Sequence, residues 1–257
     1  MIGTWITLSD PAVSEILASM EPFDFIVVDR QHSSMTSQDM VNHIRAIDIT
    51  DWHDRADCMP YVRVRENRPA EIMEALDAGA SGVVVPNVDT PNAAFKAANA
   101  ASYWKSRGMG LWRSNHYGRW IRQGKREVIV QIESRMAVDN LEEIVATEGV
   151  NGFLVGMYDL SASCGHAGNF ATDKFLDAMA TIEDFAKDWA RYGGFQEPAH
   201  YAGVHVPLAQ DTQKVKNFID IGFNWMVYGM DTSFLWDGLE TKAEELEKYE
   251  RSHRDGS

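Results

Sequence analysis

Eight short strand-like runs recur along the chain, and each is followed by a segment in which apolar residues have helical spacing. The runs are GTWITL, FDFIVVD, PYVRVR, GVVVPNV, EVIVQIE, NGFLVGM, AGVHVPL and NWMVYGM. Most of them are rich in Val and Ile and nearly continuous in hydrophobicity, as is typical of parallel strands covered on both faces. The alternation therefore predicts an α/β fold with a parallel sheet.

The helical segments complete this prediction. SQDMVNHIRAID, PAEIMEALDAG and AVDNLEEIVATEG carry apolar residues at helical spacing, and the last two end at Gly79 and Gly149, which are suited to a C-cap. Eight strand–helix units in 257 residues match a (β/α)8 TIM barrel. A doubly wound open sheet is the alternative, but no glycine-rich phosphate motif follows the first strand. No change in composition marks a second domain, so residues 1–257 are predicted to form a single domain.

Charge and cysteine content narrow the class of protein. The net charge of −14 argues against general nucleic-acid binding, which needs basic residues, and is consistent with a highly soluble surface. Only Cys58 and Cys164 occur, so no disulfide framework is expected. The first residues lack the basic start of a signal peptide, and no apolar stretch is long enough to span a bilayer. We therefore expect a soluble, cytoplasmic protein with no membrane partner.

Two carboxylates close consecutive strand-like runs. Glu133 ends VIVQIE and Asp159 ends NGFLVGMYD. Parallel barrels keep their chemistry at the carboxyl ends of the strands, so these side chains should converge. Like charges brought close together need a cation, a shared proton or a substrate. Hard oxygen ligands predict Mg²⁺ or Mn²⁺, with Co²⁺ as a further candidate, and argue against a structural zinc site.

Other polar residues end strands at the same face. The second run ends in VVDRQHSS, which places Asp29 and His32 there, and His205 ends the seventh run. Arg63 lies inside PYVRVR, where period-two alternation separates it from its valine neighbours. An arginine that points into a barrel must meet an anion, either Asp29 in a structural salt bridge or a substrate carboxylate or enolate. His32 is either structural or catalytic.

Two features do not fit the barrel pattern directly. Asp77 lies at the C-terminal end of a helix, where the helix dipole disfavours an acid. Helices of a barrel end at the face opposite the predicted site. Asp77 is either a solvated carboxylate or the partner of a residue in a neighbouring subunit. The Trp- and Arg-rich segment from residue 104 to residue 126 is either a packing or interface segment or a cap over substrate. In a cap, Arg107, Arg113 or Arg119 would contact an anion.

Taken together, these motifs resemble the HpcH/HpaI aldolase family of metal-dependent (class II) pyruvate aldolases. The resemblance covers almost the whole chain and is carried by VVDRQH, PYVRV, ALDAGASGVVVPNV, VQIES and VGMYDLSASCGHAGN. It implies a barrel of the phosphoenolpyruvate/pyruvate type and a homo-oligomer, usually a hexamer. The helix from about residue 233 is a candidate for exchange between subunits.

The resemblance also implies roles for individual residues. The metal ligands of the family match Glu133 and Asp159, and its enolate-stabilising arginine matches Arg63. Its active-site histidine matches His32. The carboxylate that reaches this histidine from an adjacent subunit matches Asp77.

Further residues are expected to bind substrate or orient the arginine. The resemblance implies that Asp29 orients the arginine, and that Trp5, Gln131, Gly156 and Tyr158 contact the substrate. Two departures from the family pattern stand out. The residue before the active-site histidine is Gln rather than Glu, and Gly-Met-Tyr-Asp replaces the familiar Gly-Pro-Ala-Asp. The tyrosine is expected to narrow the pocket.

The implied reaction is reversible cleavage of a 4-hydroxy-2-oxo acid into pyruvate and an aldehyde. In it, Arg63 stabilises the enolate and His32 takes the 4-hydroxyl proton. No lysine lies at a strand end, which disfavours a Schiff-base aldolase. The alternatives are a CoA-dependent lyase of the citryl or malyl type, which needs a basic surface for the CoA phosphates, and a non-catalytic barrel that binds oxo acids. The aldehyde can be sugar-derived, dicarboxylic or aromatic.

Overall fold

The computed structural model describes residues 1–49, 58–119, 126–192, 201–206 and 212–254. Eight parallel strands close into a barrel in sequential order, which confirms the predicted (β/α)8 architecture. The strands β1 to β8 span Ile2–Ile6, Phe25–Asp29, Met59–Arg63, Gly82–Val85, Glu127–Ile132, Gly152–Val155, Tyr201–Val206 and Trp225–Met230. Each predicted run overlaps one of these strands, and β1, β3 and β7 begin one residue before their runs. The end of the seventh run, residues 207–208, lies outside the described residues, as do residues 120–125 and 255–257.

Helices cover the outside of the barrel. The α-helices α1 to α10 span Pro11–Ala18, Ser37–Asp48, Pro69–Ala78, Pro91–Ala101, Arg135–Asp139, Leu141–Val145, Met157–Ser163, Asp173–Tyr192, Thr212–Ile221 and Asp231–Arg254. A π-helical turn, Tyr103–Arg107, and a 3₁₀ segment, Arg113–Gly118, follow α4. None of the helices in the described ranges is long and apolar enough to cross a membrane.

The predicted helix boundaries are confirmed in two of three cases. The segments at residues 37–48 and 69–79 form α2 and α3, and Gly79 caps α3 in the left-handed region at φ 111°. The single helix predicted up to Gly149 is wrong, because Asn140 interrupts it between α5 and α6. The Asn140 side chain donates to the backbone oxygen of Asp89 at 2.8 Å, which ties the interruption to the preceding loop. Gly149 lies beyond α6, in the turn before β6.

The lower half of the barrel interior is filled by aromatic rings. Phe25 stacks on Trp225 with ring centroids 4.0 Å apart, and Tyr61 meets Trp225 edge-on at 5.4 Å. Glycines on neighbouring strands make room for them: a Cβ at Gly82 would lie 2.7 Å from the Tyr61 ring, and one at Gly203 would lie 3.1 Å from Trp225. The rings close the amino-terminal end of the barrel, so open space is left at the carboxyl ends of the strands.

Pairing of β1 with β8 closes the barrel, and a carboxylate reinforces this closure at the carboxyl ends of the two strands. Asp231, the first residue of α10, is buried and accepts hydrogen bonds from the backbone nitrogens of Thr7 and Leu8, each at 2.8 Å. The Thr7 hydroxyl donates to the same side chain at 2.8 Å. These bonds hold the end of β8 against the end of β1 at the face where polar residues gather.

Candidate active site

A cavity of about 300 Å³ opens at the carboxyl ends of the strands. It contains most of the residues that were predicted to act on substrate. Its lining residues are Trp5, Thr7, Asp29, His32, Arg63, Gln131, Leu154, Val155, Gly156, Met157, Tyr158, Asp159, His205 and Met230. The barrel thus brings together residues from seven of its strands and the loops that follow them.

Glu133 lies directly after β5. It does not line the cavity itself but contacts Gln131 and Gly156, which do. Its side chain is almost fully buried, with 5% of the residue exposed. One carboxylate oxygen, Oε1, accepts from the backbone nitrogen of Asn87 at 2.6 Å, and Oε2 accepts from Nε2 of Gln131 at 3.0 Å. Burial raises the pKa of Glu133 to about 7; the bond from Asn87 opposes this rise, and the negative charge of Asp159 adds to it. None of the described Lys or Arg side chains forms an ion pair with Glu133.

Two neighbours of Glu133 play parts that the sequence did not reveal. Asn87 adopts a left-handed backbone conformation at φ 55°, which only a few residue types, Asn among them, adopt readily. This conformation aims its backbone N–H at the carboxylate. The only sequence signal was a Pro-Asn pair after the fourth strand. Gln131, which was predicted to contact substrate, lines the cavity. Its side-chain Nε2 donates to Glu133, while its Oε1 is buried without a partner among the described residues.

Asp159 was predicted to end a strand, but β6 ends at Val155 and Asp159 approaches Glu133 from the helix that follows. It lies in the first turn of α7, where the helix dipole favours a negative charge, and its side chain is exposed. Gly156 caps this helix and packs against Glu133: a Cβ there would lie 2.9 Å from Oε2. The glycine therefore allows the β6–α7 turn to come close to the buried carboxylate.

These two carboxylates fit a divalent metal ion. The buried charge of Glu133 is offset only in part by Arg63, which is paired with Asp29, and the Asp159 carboxylate raises its electrostatic cost further. Within the described ranges no three His, Cys, Asp or Glu residues are grouped closely enough to form a metal cage. The protein therefore offers two oxygen ligands, an arrangement that suits Mg²⁺, which commonly keeps several water or substrate ligands.

Arg63 ends β3 and points into the cavity, as the alternation predicted. Its Nε and Nη2 donate to the two oxygens of Asp29 at 2.8 and 2.7 Å, so the salt bridge considered in the sequence is present. The guanidinium also lies over the Trp5 ring, 4.3 Å from its centroid. Asp29 is buried and holds the arginine in one orientation, while Nη1 has no hydrogen-bond partner among the described residues. Arg63 can therefore form the salt bridge to Asp29 and still offer Nη1 to a substrate carboxylate or enolate.

Two histidines line the same cavity in different environments. His32 is exposed, and only its backbone nitrogen is fixed, by a 3.3 Å bond to Asp29. His205 meets Trp5 edge-on at 5.8 Å, and its Nε2 is buried without a partner among the described residues. Burial lowers the pKa of His205 to about 3, with a further contribution from the positive charge of Arg63. His205 is therefore a neutral group at neutral pH.

Asp77 lies outside this cavity, at the opposite end of the barrel. It is not the solvated carboxylate considered above, because Arg107 donates to its Oδ1 through Nε at 3.2 Å and Nη2 at 2.6 Å. Arg113 donates to the backbone oxygen of Ala78, next to Asp77, at 3.3 Å. Both arginines therefore pack against the end of α3, and neither caps the cavity of its own chain. Arg119 is exposed and lines a separate cavity of about 450 Å³ at this face.

Comparison with known proteins is consistent with this geometry. A sequence model of the HpcH/HpaI aldolase/citrate lyase family matches residues 1–234. The 4-hydroxy-2-oxo-heptane-1,7-dioate aldolase of Shigella flexneri is 30% identical over 94% of this chain and 87% of that protein. The 5-keto-4-deoxy-D-glucarate aldolase of Escherichia fergusonii is 29% identical over 96% of this chain and 92% of that protein.

A solved structure extends the similarity to three dimensions. The HpcH/HpaI aldolase/citrate lyase family protein from Burkholderia cenocepacia superimposes with a TM-score of 0.81 at 26% identity. The match covers 96% of this chain and 94% of that one. The barrel fold is thus shared with a solved structure of this family.

Proposed function

Because the chain belongs to the HpcH/HpaI aldolase/citrate lyase family, we propose that its cavity catalyses reversible cleavage of a 4-hydroxy-2-oxo acid into pyruvate and an aldehyde. The aldolase relatives match over nearly their full length, and the substrate named for the Shigella relative is itself a 4-hydroxy-2-oxo acid. The enzyme is therefore a carbon–carbon lyase of the aldolase type, and the reaction depends on a divalent metal.

The pyruvate half of the substrate would bind at the two carboxylates. Glu133 and Asp159 would hold Mg²⁺ or Mn²⁺, with Co²⁺ as a third candidate. When bound, the metal supplies a Lewis acid for the 2-oxo group. Gln131 would keep Glu133 oriented, and Gly156 would let the substrate carboxylate approach the first backbone N–H groups of α7. Free N–H groups at a helix start are well suited to an anion.

Cleavage of the C3–C4 bond leaves an enolate on the pyruvate half. Arg63 would stabilise the enolate oxygen through Nη1, since Asp29 already fixes its other two nitrogens. His32, exposed at the mouth of the cavity, would take the proton of the 4-hydroxyl group as the aldehyde forms. Trp5 would pack beneath the reacting carbons. No lysine lines the cavity among the described residues, so the enolate would not form through a Schiff base.

The active site would be completed by assembly of a homo-oligomer, for which a hexamer is the proposed state. Asp77 would reach His32 of a neighbouring subunit, and the buried Arg107 would hold its carboxylate in one orientation. The C-terminal helix supports an interface of this kind, because α10 exposes Leu235, Trp236 and Leu239 by 55%, 71% and 62%. Large exposed apolar patches of this kind mark interaction surfaces.

The observation that carries the proposal is the buried carboxylate of Glu133. It lies against the cavity residues Gln131 and Gly156 and forms no ion pair with any described Lys or Arg. The test is pyruvate release from two 4-hydroxy-2-oxo acids, one with an acidic and one with an uncharged aldehyde half, measured in metal-depleted enzyme before and after Mg²⁺, Mn²⁺ or Co²⁺ is added. We expect activity only with metal. Glu133→Gln and Asp159→Asn should each abolish it, while Glu142→Gln on the exposed face of α6 should not.

Two results would reject the assignment. Full activity after metal depletion would exclude the metal-dependent reaction. Metal-dependent activity that survives Glu133→Gln and Asp159→Asn would show that the metal lies elsewhere. Circular dichroism of each variant separates loss of chemistry from loss of fold.

A further inference from the structure

Among the residues that the structure describes, one permanently cationic side chain lines the cavity, and it is paired with a carboxylate. Among the described lining residues Arg63 alone carries a permanent positive charge, and its fork is paired with Asp29. Asp159 adds a negative charge on the other side. The residue proposed to enter from a neighbouring subunit, Asp77, is also a carboxylate. A second acidic group on the substrate, beyond the pyruvate carboxylate, would therefore find no counter-charge.

Other arginines near the strand ends are engaged away from the cavity. None of them lines it. These arginines and their partners are Arg30 with Glu74, Arg65 with Glu71, Arg68 with Glu66, and Arg135 with the backbone oxygen of Lys174. The sequence of residues 207–211, which follows β7, contains neither Lys nor Arg. The net charge of −14 adds a long-range field that disfavours anions.

The surface left for the aldehyde is apolar. Met157, Met230 and Tyr158 line the cavity, and Tyr158 is held edge-on against Phe170 with centroids 5.3 Å apart. Tyr158 is 48% exposed, so its ring is available to cover a ligand. His205, neutral and with an unpartnered Nε2, can exchange a hydrogen bond with a hydroxyl or carbonyl oxygen. It does not supply a charge to pair with an anion.

We infer that the aldehyde released by this enzyme is uncharged and carries an apolar substituent, which packs against Tyr158, Met157 and Met230. The inference rests on the proposed function, since it names the aldehyde class of the same site. It sets this chain apart from its Shigella relative, whose named substrate is a dioate with a second acid group at carbon 7. An unpaired carboxylate in a partly desolvated cavity is strongly disfavoured, whereas an apolar group gains from burial.

The test compares two aldehydes of the same shape in aldol addition to pyruvate with Mn²⁺. Succinic semialdehyde ends in a carboxylate, and 4-methylpentanal has an isopropyl group in its place. We expect kcat/KM for 4-methylpentanal to exceed that for succinic semialdehyde by about tenfold or more. The reason is that a carboxylate bound without a counter-charge loses affinity, as a polar group does when it is bound without a hydrogen-bond partner. Equal values, or a preference for succinic semialdehyde, would overturn the inference.

Adding a positive charge to the cavity gives a second test, because a variant that is merely less active should not change the preference between the two aldehydes. Met230→Lys adds a cation to the proposed apolar surface and should lower the preference ratio by about tenfold. Met136→Lys, on the exposed face of α5, is the matched control and should leave the ratio unchanged. If Met230→Lys leaves the ratio unchanged as well, the aldehyde does not bind on that surface and the inference is wrong.

Exchange of the pyruvate methyl protons in D₂O distinguishes a failure of the inference about the aldehyde from a failure of the proposed function. Exchange requires enolate formation but no aldehyde. If exchange occurs and the acidic aldehyde is preferred, only the inference about the aldehyde fails. If metal-loaded enzyme shows no exchange and no cleavage, the proposed function fails and the inference falls with it.

Discussion

Gly156→Ala is the sharpest test of the carboxylate arrangement, because it adds one methyl group beside Glu133 and removes nothing. Gly156 has φ −87°, which alanine adopts without strain, so the effect is purely steric. The new Cβ would lie 2.9 Å from Oε2 and 3.0 Å from Cβ of Glu133, and 3.0 Å from Nε2 of Gln131. Contact at both ends of the glutamate side chain means that rotating the carboxylate alone does not relieve the overlap.

The size of the effect follows from these distances. To regain an ordinary contact, Glu133 must retreat by about 0.5 Å, since non-bonded atoms of this kind settle near 3.4 Å or beyond. The retreat stretches the 2.6 Å bond from Asn87 or the 3.0 Å bond from Gln131. Disturbing groups that orient a metal ligand typically lowers metal affinity by about 10- to 100-fold. We also expect a loss of about 1–3 kcal/mol in the free energy of unfolding, the usual cost of overpacking.

Titration calorimetry with Mn²⁺ measures the affinity, and urea unfolding measures the stability. Gly238→Ala in α10 is the matched control, because no atom lies within 4 Å of its added Cβ. It should bind Mn²⁺ as the wild type does and unfold at an equal or higher urea concentration, since alanine favours a helix. A Gly156→Ala protein that is folded and binds Mn²⁺ within about twofold of the wild type would refute the placement of Glu133 at the metal.

Other predictions address the remaining groups. Arg63→Lys should lower kcat by about a hundredfold while the protein stays folded, because an ammonium does not reproduce the fixed fork of a guanidinium; a loss under about threefold would make Arg63 structural. Asp77→Asn and His32→Ala should each lower turnover, and mixed oligomers reassembled from the two variants should exceed the mean of the parents if the site is shared between subunits. Burial lowers the pKa of His205 to about 3, so the unfolded chain binds the proton more tightly and stability falls as pH drops from about 6.5 toward 3. At pH 5 the loss relative to pH 8 should be about 2 kcal/mol smaller in His205→Gln than in the wild type by urea unfolding; equal losses would contradict the buried, neutral state.

The barrel was predictable from the sequence because its signals are local and repeated. Each strand-like run overlaps a strand of the barrel. The residues after the runs gather in one cavity because parallel strands all run in the same direction. The interruption at Asn140 was not predictable, since it depends on a bond to Asp89, a residue 51 positions away. Short-range spacing carries no information about such contacts.

The site also contains residues that could be predicted from the sequence and residues that could not. Glu133, Asp29 and Arg63 stood out because charged residues rarely belong at the end of a buried strand. Asp159 also stood out, although it lies in the first turn of α7 and not in the strand before it. The role of Asn87 was hidden, because it acts through its backbone N–H, and the side-chain type does not reveal where a backbone N–H points. The resemblance to a family suggested a partner for Asp77 in another subunit, but Arg107, its partner within the chain, lies 30 positions away and gave no sequence signal.

The bonds from Thr7 to Asp231 have a consequence for the way this chain is made. The two residues are 224 positions apart. At a synthesis rate of about 5–20 residues per second, the second residue leaves the peptidyl-transferase centre about 11 to 45 seconds after the first. Throughout that interval β1 has β2 on one side and an open edge on the other, and open strand edges invite pairing with other chains. The ribosome therefore sets how long a nascent barrel needs protection, and slow codons late in the message would lengthen that exposure.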